Sequence, residues 1–135
     1  LIGGDANAIE PQKRMLSSMT PTIVTENNKL KMVVGTPGGP TIITSVYQTL
    51  LNVIDHGMGM QEAVNAKRVH HQWYPDEIQI EEGAISNRIQ TRLEKLGHGF
   101  QITEKIGRMD CILILQDGRL EGGADPRGDN TALGN

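Results

Sequence analysis

Apolar and polar positions alternate in two short runs, Thr22-Ile23-Val24-Thr25 and Lys31-Met32-Val33-Val34, on either side of Glu26-Asn27-Asn28-Lys29. A period of two flanking an asparagine-containing loop predicts a β-hairpin. The pattern then changes. From Thr41 to His56, apolar residues fall at Ile42, Ile43, Val46, Leu50, Val53 and Ile54, and Gly57 follows. Spacings of three and four bury one face of a helix, and the glycine is a natural stop. A shorter helix is expected from Met60 to Lys67, and a strand from Glu77 to Glu81, where Ile78 and Ile80 alternate with polar residues. Ser86 can cap a helix whose apolar face is Ile89, Leu93 and Leu96 and which Gly97 closes. Gly99 to Lys105 reads as a strand, and Cys111 to Leu115 as a fully buried one. Asp117-Gly118 then turns the chain into Arg119 to Ala124. Residues 1–15 are polar and irregular. Strands around two substantial helices, with antiparallel hairpins dominating over βαβ units, predict an α+β fold.

No repeat, linker or low-complexity tract divides the chain, so residues 1–135 are read as one domain. Leu, Ile, Val and Phe fill 33 of 135 positions, above the roughly one-fifth below which chains tend to stay disordered. Aromatic residues make up only 3%, so the core must be aliphatic. The net charge of −3 and the scattered Lys and Arg give no basic stripe, which argues against nucleic-acid binding. No apolar run approaches the ~18 residues that cross a bilayer, no signal peptide is seen, and this segment is expected to make no membrane contact. The chain starts at Leu1 and mid-phrase, in Leu1-Ile2-Gly3-Gly4-Asp5, and is expected to be a processed chain or an excised piece of a longer one.

Chemistry concentrates at Gly35-Thr36-Pro37-Gly38-Gly39-Pro40, between a strand and a helix. Adjacent glycines leave backbone N–H groups uncovered, Pro40 suits a first helical turn, and the helix dipole favours negative charge there. The loop is either an anion site, for a carboxylate, a phosphate or an acyl-transfer oxyanion, or a tight turn with no ligand. No Lys-Ser/Thr pair follows it, so it is not a phosphate-binding P-loop. Ser17 and Ser18 precede the first strand; two hydroxyls can bind a carboxylate without a permanent charge, although on spacing alone a plain serine turn is the favoured explanation. His70 and His71 are neighbours that point apart on an extended segment, which favours a structural role over metal binding. Asp76-Glu77 and Glu81-Glu82 read as solvated turn and strand-end charges, and Asp125-Pro126-Arg127 as an internal ion pair. Cys111 reads as a small buried hydrophobe. With no serine elbow, no activated thiol and Leu at position 1, the chain offers no nucleophile of its own.

Several phrases together resemble the small subunit of γ-glutamyltransferases (γ-glutamyltranspeptidases). They are Gly3-Gly4-Asp5-Ala6-Asn7-Ala8, Lys13-Arg14, Leu16-Ser17-Ser18-Met19 with Pro21-Thr22-Ile23-Val24, and Pro37-Gly38-Gly39 running into Ile42-Ile43. In the same order follow Val53-Ile54-Asp55, Glu62-Ala63, Asn65-Ala66, Arg68, His70-His71-Gln72-Trp73 and Asp125-Pro126-Arg127. The resemblance spans essentially the whole chain. Three positions depart from it: Met15 replaces a usual proline, Thr36 stands where serine is common, and Pro40 where serine is frequent.

The resemblance implies part of an αββα four-layer sandwich of the N-terminal-nucleophile hydrolase type. It also implies a γ-glutamyl acyl transferase or hydrolase acting on glutathione-like amides through a threonine upstream of this chain. On that kinship Gly38 and Gly39 supply oxyanion-hole amides, and Ser17 and Ser18 bind the α-carboxylate of the γ-glutamyl group. No metal and no cofactor are implied. The partners implied are a large subunit and the preceding part of the small subunit, and the location periplasmic or extracellular. The fragment alone is expected to be inactive and to associate, a homodimer being one form. Two alternatives stand beside this reading: a related acylase of the glutaryl-cephalosporin or poly-γ-glutamate type, and a non-catalytic carboxylate-binding module.

Overall fold

A computed structural model of the chain describes residues 4–134. After a 3₁₀ turn at Asp5–Asn7, its elements are Thr22–Glu26 (β1), Lys29–Gly35 (β2), Thr41–Ile54 (α1), Met60–Asn65 (α2), Val69–His70 (β3) and Glu77–Glu81 (β4). Asn87–Glu94 (α3), Gly99–Thr103 (β5), Asp110–Ile114 (β6) and Leu120–Ala124 (β7) complete them. The hairpins form as the alternation predicts, β1 with β2 and β6 with β7. The first is tighter than expected. Asn27 and Asn28 sit alone in the turn with φ of 52° and 60°, the pair of left-handed conformations whose twist matches the flanking strands. Pairing of β2 with β6 joins the hairpins into one antiparallel sheet, in the order β1-β2-β6-β7.

One face of this sheet carries the core. Met32, Val34, Cys111 and Leu113 meet Ile42, Val46 and Val53 of α1 and Met60, Ala63 and Val64 of α2. The alternation that aims these strand residues inward aims Ile23, Val33 and Ile112 outward as cross-strand neighbours, and all three are exposed. The strand at Cys111–Leu115, expected to be buried on both sides, is therefore buried on one, because the helices cover one face only. On the covered side α2 lies close to β7. Glu121 Oε1 accepts the Met60 N–H at 2.9 Å, and the Gln61 side chain both donates to and accepts from the Ala124 backbone, at 2.8 and 3.0 Å.

A second sheet has the order β3-β4-β5, with β4 and β5 parallel and joined through α3. This βαβ crossover is the departure from hairpin connection. Ser86 caps α3 as expected, its Oγ accepting the Ile89 N–H at 3.4 Å, yet no residue of α3 is buried. Ile89 and Leu96, expected to be covered, remain exposed. Helix α1 stops at Ile54, two residues short of expectation, ahead of Gly57 at φ 68°. Helix α2 stops at Asn65, because Ala66 has already turned to extended backbone at ψ 138°.

Two devices tie the second sheet to the first. Gln48 on α1 imitates a strand, its amide donating to the Val69 carbonyl at 2.7 Å and accepting the Val69 N–H at 3.0 Å. The other is a buried cluster of Arg68, Glu81, Asp125 and Arg127. Arg68 meets Asp125 at 2.8 Å, and Arg127 bridges Asp125, at 3.0 Å, to Glu81. The Asp125–Arg127 ion pair was expected. Glu81 was expected to be solvated and is instead 1% exposed, because its partners arrive from distant segments. Two cations and two carboxylates balance, and each charge is hydrogen-bonded, the condition under which buried ions are tolerated. Burial pushes the Glu81 and Asp125 carboxyls up. For Glu81, hydrogen bonds from Arg127 and from the Arg68 and Ile106 amides outweigh it; for Asp125, the Met109 and Arg127 amides and the Arg68 charge do. Both carboxyls are held below the usual carboxylate range.

Candidate active site

The glycine loop leaves two amides uncommitted. Gly38 and Gly39 take φ of 144° and 59°, conformations closed to most side chains, and a Cβ on Gly38 would stand 2.6 Å from Thr41 Oγ1. The Gly38 carbonyl accepts the Thr41 N–H at 3.2 Å and the Thr41 hydroxyl at 2.9 Å. In a trans peptide the N–H lies opposite the carbonyl, so the Gly39 N–H is aimed away from the helix. By the same geometry the Gly38 N–H lies opposite the Pro37 carbonyl, which accepts the Thr36 hydroxyl at 2.7 Å. Among the described residues neither amide donates to another group. Gly38 is exposed and Gly39 half-buried. Pro40 is the N-cap of the helix that follows, already in helical conformation at φ −64°.

The serine pair meets this loop. The Ser18 hydroxyl donates to the Gly39 carbonyl at 2.8 Å, joining positions 21 residues apart. Ser17 is exposed, and its Oγ accepts the Met19 N–H at 3.2 Å. The two motifs singled out in the sequence thus share one place, with Ser18 as the point of contact. The Ser17 proton and the two glycine amides are uncommitted, while the Ser18 proton is given to the Gly39 carbonyl. Such a set has donors and no fixed cation, so it suits a group whose negative charge is held by hydrogen bonds.

Behind the loop lies a segment that sequence reasoning missed. The Arg108 N–H donates to Thr36 Oγ1 at 2.8 Å. Gly107, at φ 66°, lies so close that an added Cβ would sit 2.7 Å from Ser45 Oγ and 3.1 Å from Thr36 Oγ1. The segment is held by the charged cluster: Glu81 accepts the Ile106 N–H at 2.8 Å, Arg68 donates to the Ile106 carbonyl at 2.8 Å, and Asp125 accepts the Met109 N–H at 2.7 Å. A glycine among charged residues just before the apolar run at 111–115 was the available signal, but nothing local says what it packs against.

Other candidates fall away from the chemistry. Burial pushes the Cys111 thiol up to about 12, which leaves it without nucleophilic character. His70 is buried between Thr44 Oγ1, 2.7 Å from its Nδ1, and Gln72 Oε1, 2.9 Å from its Nε2, a structural role. Asp76 faces His71 at 3.2 Å at the surface.

The sequence profile of the Gamma-glutamyltranspeptidase family matches residues 3–135. The glutathione hydrolase proenzyme of Escherichia coli (strain K12) is 47% identical over 127 residues, covering 94% of this chain and 22% of that protein. The acylase ACY 1 proenzyme of Pseudomonas sp. (strain V22) is 36% identical over 131 residues, covering 96% and 23%. The solved Helicobacter pylori gamma-glutamyltranspeptidase T380A mutant superimposes with a TM-score of 0.88 at 47% identity, over 95% of this chain and 70% of that one. The chain spans less than a quarter of the length of these curated relatives. With its profile, relatives and α+β fold in agreement, the chain belongs to the gamma-glutamyltranspeptidase family.

Proposed function

We propose that this chain is one part of a γ-glutamyl acyl transferase or hydrolase, and that it supplies the groups that receive negative charge. The observation that carries this reading is the pair of uncommitted Gly38 and Gly39 amides, the latter turned away from the helix, on a loop that Ser18 also touches. The amides hold the oxyanion of the tetrahedral intermediate. Ser17 binds the α-carboxylate of the γ-glutamyl group with its free proton, and Ser18 joins it by turning its hydroxyl from the Gly39 carbonyl to the carboxylate. A threonine outside this chain attacks the γ-carbonyl, its hydroxyl proton passing by way of its own α-amine to the departing amine as the C–N bond breaks. Water or an acceptor amine then cleaves the γ-glutamyl ester. Each oxyanion donor contributes about 2.7–4 kcal/mol to lowering the barrier.

The remaining parts of the proposal follow from the same reading. A large subunit and a further segment of the small subunit complete the site, and the open outer row Ile23, Val33 and Ile112 agrees with a missing layer. Residues 1–135 by themselves, read as one domain, are inactive and self-associate. The whole protein works outside the cytoplasm; no described helix is long and apolar enough to cross a membrane. A second reading is favoured by the match to an acylase: the same loop and oxyanion chemistry with a glutaryl-type amide as substrate.

Kinetics on the full-length protein test both. γ-Glutamyl anilide is expected to turn over faster than glutaryl anilide, and Ser18→Ala to raise KM for the former about 10- to 150-fold, the effect of a lost hydrogen bond to a charged group. A preference for the glutaryl amide selects the acylase reading. An unchanged KM in Ser18→Ala removes the serines from the site.

A further inference from the structure

We infer that the hydroxyls of Thr36 and Thr41 are positioning groups that set the planes of the two peptides whose N–H groups face the oxyanion. The inference rests on the oxyanion reading above and assigns what aims the amides. A backbone N–H is directed by its peptide plane, and a peptide plane is fixed by whatever holds its carbonyl. The Pro37 carbonyl, opposite the Gly38 N–H, is held by the Thr36 hydroxyl at 2.7 Å. The Gly38 carbonyl, opposite the Gly39 N–H, is held by the Thr41 hydroxyl at 2.9 Å and the Thr41 N–H at 3.2 Å.

Thr36 is itself oriented. Its Oγ1 accepts the Arg108 N–H at 2.8 Å, which leaves its single proton for the Pro37 carbonyl. Glycine at 38 and 39 gives the loop freedom to rotate, so the threonines select one orientation among several. The Arg108 end of this chain of bonds is anchored in turn. Residues 106–109 are pinned by Glu81, Arg68 and Asp125, and Gly107 admits no side chain between Ser45 and Thr36. A donor turned off its line stabilises the ground state little less, but loses its hold on charge that exists only along the reaction path. A positioning role therefore predicts an effect on kcat rather than on KM.

The test uses the full-length protein with γ-glutamyl anilide, comparing Thr36→Val, Thr36→Ser, Thr41→Val and Thr41→Ser with wild type. Each valine variant is expected to lower kcat about tenfold, equal to about 1.4 kcal/mol, with KM within twofold of wild type. The serine variants, which keep the hydroxyl, restore kcat to within twofold. Valine variants with wild-type kcat, or serine variants as slow as the valine ones, overturn the positioning role. A boronic acid analogue of the γ-glutamyl group, which becomes a tetrahedral anion on the nucleophile, separates this from the parent reading. If wild type binds it no tighter than glutamate, the oxyanion reading falls and the positioning role with it. If it binds tightly while the valine variants turn over normally, only the positioning role falls.

Discussion

Glu81→Gln removes one charge from a closed set of four and changes almost nothing in shape. Glu81 accepts the Arg68 N–H at 2.9 Å and the Ile106 N–H at 2.8 Å, and both Nε and Nη2 of Arg127. One oxygen serves Ile106 and Arg127 Nε; the other serves Arg68 and Nη2. Whichever way glutamine is turned, its NH₂ faces one backbone N–H and one guanidinium N–H. Two donors lose their acceptor, and the buried cluster is left with one uncompensated positive charge. Removing one partner of a buried pair costs about 3–5 kcal/mol, against a total stability of about 5–15 kcal/mol. For a domain of this size that lowers Tm by about 10–20 °C. The assay is urea unfolding followed by far-UV circular dichroism, with Glu82→Gln as control, since Glu82 is exposed and its loss changes stability by no more than about 0.5 kcal/mol. The sign with pH follows from the depressed folded-state values of Glu81 and Asp125. The unfolded chain takes up protons first, near pH 4, so their contribution is present above that pH and is lost as pH falls through the folded-state values. Wild type should therefore weaken in acid more than Glu81→Gln does, and the gap between them should narrow. Equal stability of Glu81→Gln and Glu82→Gln at pH 7 would refute the reasoning.

Gly123→Ala should cost about 1–3 kcal/mol by overpacking, because its Cβ would lie 3.0 Å from Met60 Cγ and Val64 Cγ1 and 3.1 Å from the Met60 carbonyl, between β7 and α2. Gly35→Ala, with nothing within 4 Å, is the matched control in thermal melts; equal losses would contradict close packing of α2. Cys111, buried with its thiol pushed up to about 12, should react with a thiol reagent at pH 8 only at the rate of unfolding. Prompt labelling of the native protein would contradict its burial.

The hairpins, α1 and the capped start of α3 were legible because each is written in local pattern: a period of two around Asn27-Asn28, a spacing of three and four from Ile42 to Ile54, a serine at position 86. The glycine loop was legible because Gly38-Gly39 at a helix start has few conformational explanations. What was missed depends on partners far along the chain. Glu81 follows Ile80 in an alternating strand and looks solvated; its burial is decided by Arg127, 46 residues away. The exposure of Ile112 depends on which sheet face the helices choose, a tertiary matter that the apolar run at 111–115 does not encode. Gly107 and Arg108 occupy an irregular loop, and their meeting with Thr36 bridges 72 residues. The parallel pairing of β4 with β5 likewise depends on α3 folding back across the sheet, and α3 shows only a half-covered apolar face.

The most direct test of the central claim is the position of an acyl oxygen relative to the glycine amides. A crystal structure of the full-length protein carrying a tetrahedral γ-glutamyl boronate should place its oxygen about 2.7–3.1 Å from the backbone nitrogens of both Gly38 and Gly39. An oxygen bound elsewhere, with those two N–H groups pointing away from it or donating to protein carbonyls, would contradict the account.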